Sequence, residues 1–203
     1  MLVFWRENLV LLSVPKTGTS ALEAALRDRA DVVLDNPPEV KHVPLFRYNR
    51  FLKPLFGVID GTRRLETMAL VREPEDWLGS WYRYRARPEL AGHPNSTAAL
   101  SFDAFVEGYL SDPRPGFAHV GSPRKFLSNG QGKLAVKHLF QYEQMPRALA
   151  FLSRRLEVDL TIAPRNVSPR RDVTLDPALR DRLRRDCAAE FDLWRRARRD
   201  EAP

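Results

Sequence analysis

The chain has 203 residues, 43% of them hydrophobic, with a formal net charge of +7 and a single cysteine. That length suits one domain, residues 1–203, around one core. The lone Cys187 excludes an internal disulfide, and the excess of Lys and Arg calls for an anionic partner: nucleic acid, a membrane surface or a small polyanion.

In chain order, the apolar run at residues 9–14 predicts a strand, and the pattern at 20–29 a helix. The N-terminal apolar run is too short for a membrane span and follows Arg6 and Glu7, so neither a signal peptide nor a span is expected there, and the expected location is cytoplasmic. Between strand and helix stands Pro15-Lys16-Thr17-Gly18-Thr19-Ser20. A tight turn between a strand and a helix aims free backbone N–H groups and a positive helix end at one spot, an arrangement that holds phosphate or sulfate. It is not a nucleotide-kinase loop, where the lysine follows the second glycine: here Thr19 follows Gly18, and no glycine precedes it.

A second strand is expected at 31–34, followed by Val40-Lys41-His42-Val43-Pro44, and a third at 66–71. The third ends in Arg72, after which Pro74 opens a helix at 74–87; proline suits the first helical position because the missing N–H would have no partner there. Arg72 then lies at the carboxyl end of a strand, and Ser80 in the first turns of the next helix. In a parallel sheet that end is where ligands bind. Further helices are expected at 101–110, 143–156 and 177–198, and a fourth strand at 134–140. Asp176 should cap the last helix, whose stripe is Leu179, Leu183, Cys187, Phe191 and Trp194; its many arginines read as a solvated face. Alternating strands and helices argue for an α/β fold, a parallel sheet covered by helices on both faces. The glycine- and proline-rich stretches 88–100 and 111–123 are candidate lids.

Pro-Lys-Thr-Gly-Thr-Ser resembles the 5′-phosphosulfate loop of the sulfotransferases that use 3′-phosphoadenosine 5′-phosphosulfate (PAPS). Arg72, Pro74 and Ser80 are similar to that family's 3′-phosphate signature, an Arg-x-Pro start with a serine eight positions after the arginine. Gln141-Tyr142-Glu143 resembles the family's late strand and its Tyr-Glu dipeptide. The resemblance covers most of the chain and is that of a small bacterial-type member. It implies a P-loop-type three-layer fold with a central parallel sheet, PAPS as co-substrate, and no metal. The nucleotide would be bound by Lys16, Thr17, Gly18, Thr19, Ser20, Arg72 and Ser80. The family's C-terminal Arg-Lys-Gly triplet is absent, and Arg170 and Arg171 are candidates to replace it.

Two residues are expected to carry the chemistry. Lys16 would neutralise the bridging oxygen as the sulfate bond breaks, and His42 would take the acceptor's proton. The family's Lys-Thr-His-Leu-Pro segment supports His42, although here the threonine is missing, which in an extended segment would turn the side chain to the other face. Glu39 and Glu23 are alternative bases, but Glu23 stands three residues after Ser20 at capping-box spacing. The aromatics Trp77, Trp81, Tyr82 and Tyr84 either flank the nucleotide or pack in the core. Phe46, Tyr48 and Phe51 either line an acceptor pocket or pack on the sheet. The expected partner is a small-molecule or glycan acceptor, and nucleic acid is not expected. The competing readings are a P-loop small-molecule kinase and a non-catalytic nucleotide- or nucleic-acid-binding module.

Overall fold

A computed structural model describes residues 1–162 and 171–199. The chain opens with an antiparallel hairpin, β1 (Leu2–Phe4) and β2 (Leu9–Leu11), which pairs Leu2 with Leu11 and Phe4 with Leu9. Asn8 ends its turn at a φ of 53°, a left-handed conformation that asparagine tolerates better than most residues. α1 (Thr19–Leu26) follows β2, and β3 (Val32–Val33) returns to pair antiparallel with β1. Next come α2 (Pro38–Lys41), α3 (Leu45–Arg47) and α4 (Lys53–Ile59), the last two joined by a π-helical turn, Tyr48–Leu52. β4 (Glu66–Val71) runs into α5 (Pro74–Arg85), and α6 (Phe102–Leu110) and α7 (Pro123–Phe126) precede β5 (His138–Gln141). α8 (Met145–Leu156), α9 (Pro177–Asp186) and α10 (Ala188–Arg199) complete the fold.

The five strands lie in the order β3-β1-β2-β4-β5. Two pairings, β2–β4 and β4–β5, are parallel, and the two made by β1 are antiparallel. The expected all-parallel sheet is therefore corrected to a mixed one, because a strand that sequence patterning did not reveal runs against both of its neighbours. The parallel trio β2–β4–β5 still ends on one edge.

Strand residues alternate between two apolar clusters. Leu9, Leu11, Met68 and Leu70 pack with Leu22 and Leu26 of α1 and with Ala148, Leu152 and Leu156 of α8. Val10, Leu12, Ala69 and Val71 pack on the other face with Leu45, Tyr48, Phe56, and Leu193 and Ala197 of α10. Burial on both faces explains why these strands read as unbroken apolar runs. A third cluster joins α5, α6 and α9 through Trp77, Tyr82, Phe105 and Leu183.

Two expected elements change. The strand at 134–140 contracts to β5, Leu134 making only an isolated bridge with Ser128. The single closing helix breaks at Cys187 (φ −111°, ψ 27°), so that Leu179 and Leu183 face the third cluster while Leu193 and Ala197 face the sheet. Asp176 does cap α9, accepting from the amides of Ala178 and Leu179. Among the described residues, no helix is long and apolar enough to cross a membrane.

Candidate functional site

The carboxyl ends of β2, β4 and β5 bring together the Pro15–Gly18 turn, Arg72 and Tyr142. Three contacts hold the turn. The buried Thr17 hydroxyl donates to the Val14 carbonyl at 2.9 Å, Trp77 Nε1 of α5 donates to the Pro15 carbonyl at 3.0 Å, and Arg72 Nη1 donates to the Lys16 carbonyl at 3.3 Å. Lys16 and Gly18 both adopt left-handed backbone, at φ 67° and 76°. At Gly18 a side chain is also excluded by space, since a Cβ would come within 3.0 Å of the Tyr142 ring and 3.2 Å of the Met145 methyl. The Gly18 carbonyl starts α1 by accepting from Ala21 and Leu22. The carbonyls of Pro15, Lys16 and Gly18 are thus committed, whereas the amides of Thr17, Gly18, Thr19 and Ser20 have no acceptor among the described residues. Free amides at the start of a helix suit an anion.

Cations ring that spot. The Lys16 ammonium lies over the rings of Tyr84 (3.9 Å) and Trp81 (5.4 Å). Burial, then the charges of Arg87, Arg72 and Arg83, push its pKa down from 10.5 to about 7. Arg72 stacks on Tyr142 at 4.5 Å, donates through Nε to Asp76 and through Nη1 to the Lys16 carbonyl, and has no further acceptor for its Nη2 group among the described residues. Asp76 also meets Arg83 at 3.7 Å. Ser80 is nearly buried on α5, on the same helical row as Asp76 and Arg83, and Arg87 lies just past the end of that helix. The indole N–H of Trp81 is buried without a partner among the described residues.

Behind the turn, His42 Nδ1 lies 2.7 Å from the Ser13 carbonyl. A carbonyl only accepts, so Nδ1 carries the proton and Nε2 is left basic. Burial holds the His42 pKa below 6.5, although the Ser13 contact pulls the other way, so the ring is neutral at neutral pH. His42 ends the short helix α2 rather than standing in an extended segment, so the argument that a missing threonine turns it to the wrong face does not apply. The capping-box reading of Glu23 is also corrected. Gly18 is the N-cap of α1, and Glu23 instead accepts from the Ser13 hydroxyl at 2.7 Å and pairs with Lys41, whose ammonium is 3.1 Å from the Ser20 hydroxyl.

A scan of protein-family models finds no match, and neither curated proteins nor solved structures yield one.

The structure brings Lys16, Thr17, Gly18, Thr19, Ser20 and Arg72 to one edge and sets His42 beside Ser13 at the end of β2. Arg171 is not free for a phosphate: its guanidinium donates to the carbonyls of Thr97, Ala98 and Leu100. Arg170 lies outside the described residues. Both candidate lids are tied down, 88–100 by Arg171 and by the buried Thr97 hydroxyl on Tyr82, and 111–123 by Arg85 on the carbonyls of Gly116 and His119. Trp77 is core and a brace for the turn, while Trp81 and Tyr84 face Lys16. Sequence reasoning missed Arg83, on α5, and Arg87, just past its end, and no motif marks either. Glu143 was noted only for likeness; it accepts from the Glu73 amide and from Trp194 Nε1, bracing the backbone after Arg72.

Proposed function

We propose that this protein is a sulfotransferase of the P-loop-type three-layer fold, moving the sulfuryl group of PAPS onto a hydroxyl or amine acceptor. The observation that carries this reading is the donation from Arg72 to the Lys16 carbonyl. It joins two motifs 56 positions apart into one cationic edge, close enough for one nucleotide to span. The amides of Thr17 to Ser20 hold the 5′-phosphate. The free N–H groups of Arg72, with the Ser80 hydroxyl, take the 3′-phosphate, and Arg83 and Arg87 add charge.

His42 Nε2 removes the proton from the acceptor as its oxygen or nitrogen bonds to sulfur. The bond between sulfur and the bridging oxygen breaks, and its electron pair stays on the 5′-phosphate, where Lys16 balances the added charge. Binding of the polyanion raises the Lys16 pKa, so the lysine is charged when that charge is needed.

Calorimetry with 3′-phosphoadenosine 5′-phosphate, against ATP with magnesium, tests the nucleotide. Tight binding of the former is expected, and preference for ATP with magnesium overturns the reading in favour of a kinase. Transfer of labelled sulfate from PAPS across phenol, sugar, amine and lipid acceptors then tests the reaction.

A further inference from the structure

Among the described residues, the large hydrophobic side chains that stand exposed all fall within fourteen positions: Phe46, Phe51, Leu55, Val58 and Ile59. They share the helical segment formed by α3, the π-helical turn and α4. Its inner face already packs on the sheet through Leu45, Tyr48, Leu52 and Phe56. The outer residues Phe51, Leu55, Val58 and Ile59 follow one another at spacings of four, three and one, a second apolar stripe with nothing upon it, and Val58 is 87% exposed. A helix that is apolar on both faces yet lies at the surface has an unmet partner.

Its surroundings name the partner by charge. Arg47, Arg50, Lys53, Arg63 and Arg64 lie in or just after this segment, against the single carboxylate Asp60. The Arg47 and Arg50 guanidinium groups sit over the exposed rings of Phe46 and Phe51, at 5.6 and 5.3 Å. Beside α4 opens a groove of about 490 Å³ lined by Lys53, Arg63, Arg64 and Lys137 against one carboxylate, Glu66, with Tyr48 in its wall; Arg63 is also paired with Asp60. The Tyr48 hydroxyl is buried without a partner among the described residues. A second copy of the chain on the same face would set these cations against one another, because a two-fold contact is self-complementary.

We propose that the segment Leu45–Ile59 is a docking surface for an anionic lipid bilayer. Its outer stripe enters the interface, its arginines and lysine meet the headgroup phosphates, and the groove takes one headgroup. This is attachment in the plane of the membrane, and it stands whether or not the sulfuryl-transfer reading holds.

Flotation of the full chain with vesicles tests it. The protein should float with mixed phosphatidylglycerol and phosphatidylcholine vesicles and not with phosphatidylcholine alone. Combined Leu55→Ser, Val58→Ser and Ile59→Ser substitutions should lower partitioning by about tenfold or more, with the circular dichroism and thermal midpoint unchanged since all three side chains are exposed. Arg50→Glu with Lys53→Glu, a second and independent arm, should cost about tenfold or more on anionic vesicles. Failure to float with anionic vesicles overturns the proposal. So does equal recovery of the triple variant, or a dimer in sedimentation equilibrium that the triple variant dissolves.

Discussion

The Lys16 ammonium rests 3.9 Å from the centre of the Tyr84 ring, half enclosed and facing three guanidinium groups whose charge it must share. With a pKa of about 7, the proposed nucleotide binding would be a proton-linked event. Above that pH the empty site holds a neutral lysine, and a bound polyanion draws a proton back onto it. Affinity for 3′-phosphoadenosine 5′-phosphate should therefore fall as pH rises past 7, by up to about tenfold per unit. Calorimetry in buffers of different ionisation heats measures the proton uptake, and an affinity flat across neutrality would contradict this account.

The same shift predicts how stability depends on pH. The unfolded lysine titrates near 10.5 and the folded one near 7, so between these values the unfolded chain binds more protons and stability rises with pH. Below pH 7 the whole penalty is present. Lys16→Met should raise the thermal midpoint in mild acid, with the gain shrinking towards pH 10.5. Lys16→Ala should cut turnover by about two or more orders of magnitude.

His42 offers a separate test, because the role proposed for it concerns the acceptor and not the nucleotide. His42→Ala should lower kcat by about two to four orders of magnitude and leave nucleotide affinity unchanged. Burial lowers its pKa, so the acid limb of the kcat/KM profile in the native enzyme should fall below pH 6.5. Full transfer at neutral pH in the alanine variant would assign the proton to another group.

Gly18→Ala combines a left-handed backbone with a close approach to Tyr142 and Met145. The backbone alone should cost about 1–2 kcal/mol. A fall of several degrees in thermal midpoint is expected, together with weakened nucleotide binding. A variant as stable as the parent would mean that the turn relaxes more easily than its three braces suggest.

Arg72→Lys keeps the charge and discards the fork. Lysine cannot reach Asp76, the Lys16 carbonyl and a ligand together, so affinity for 3′-phosphoadenosine 5′-phosphate should drop about tenfold to a hundredfold. Retained affinity would reduce Arg72 to a point charge.

What could be read from residues alone followed burial and local chemistry. β4 is as expected at 66–71, because five consecutive buried side chains leave an unbroken apolar run, and Pro74 marks the helix that follows. The hairpin escaped notice because β1 has three residues, too few for any period, and the turn Trp5-Arg6-Glu7-Asn8 contains neither glycine nor proline. That omission made a mixed sheet look parallel. The break at Cys187 was hidden by a stripe that continues through it: Leu179, Leu183, Cys187 and Phe191 all join the third cluster, and only from Leu193 and Trp194 onward does α10 turn to the sheet. At the site, Lys16 and Arg72 were legible from their turns. Arg83 and Arg87 were not, since an arginine on a helix or in the loop after it ordinarily faces water, and only the fold brings their charge near Lys16.

The Tyr142 ring is shared by Gly18, which approaches its Cε2–Cδ2 edge, and by the Arg72 guanidinium, which stacks on it. Damage to either contact is then felt by its counterpart through the same ring. A thermodynamic cycle built from Gly18→Ala and Arg72→Lys should be non-additive, and replacing Tyr142 with a smaller residue should erase that coupling.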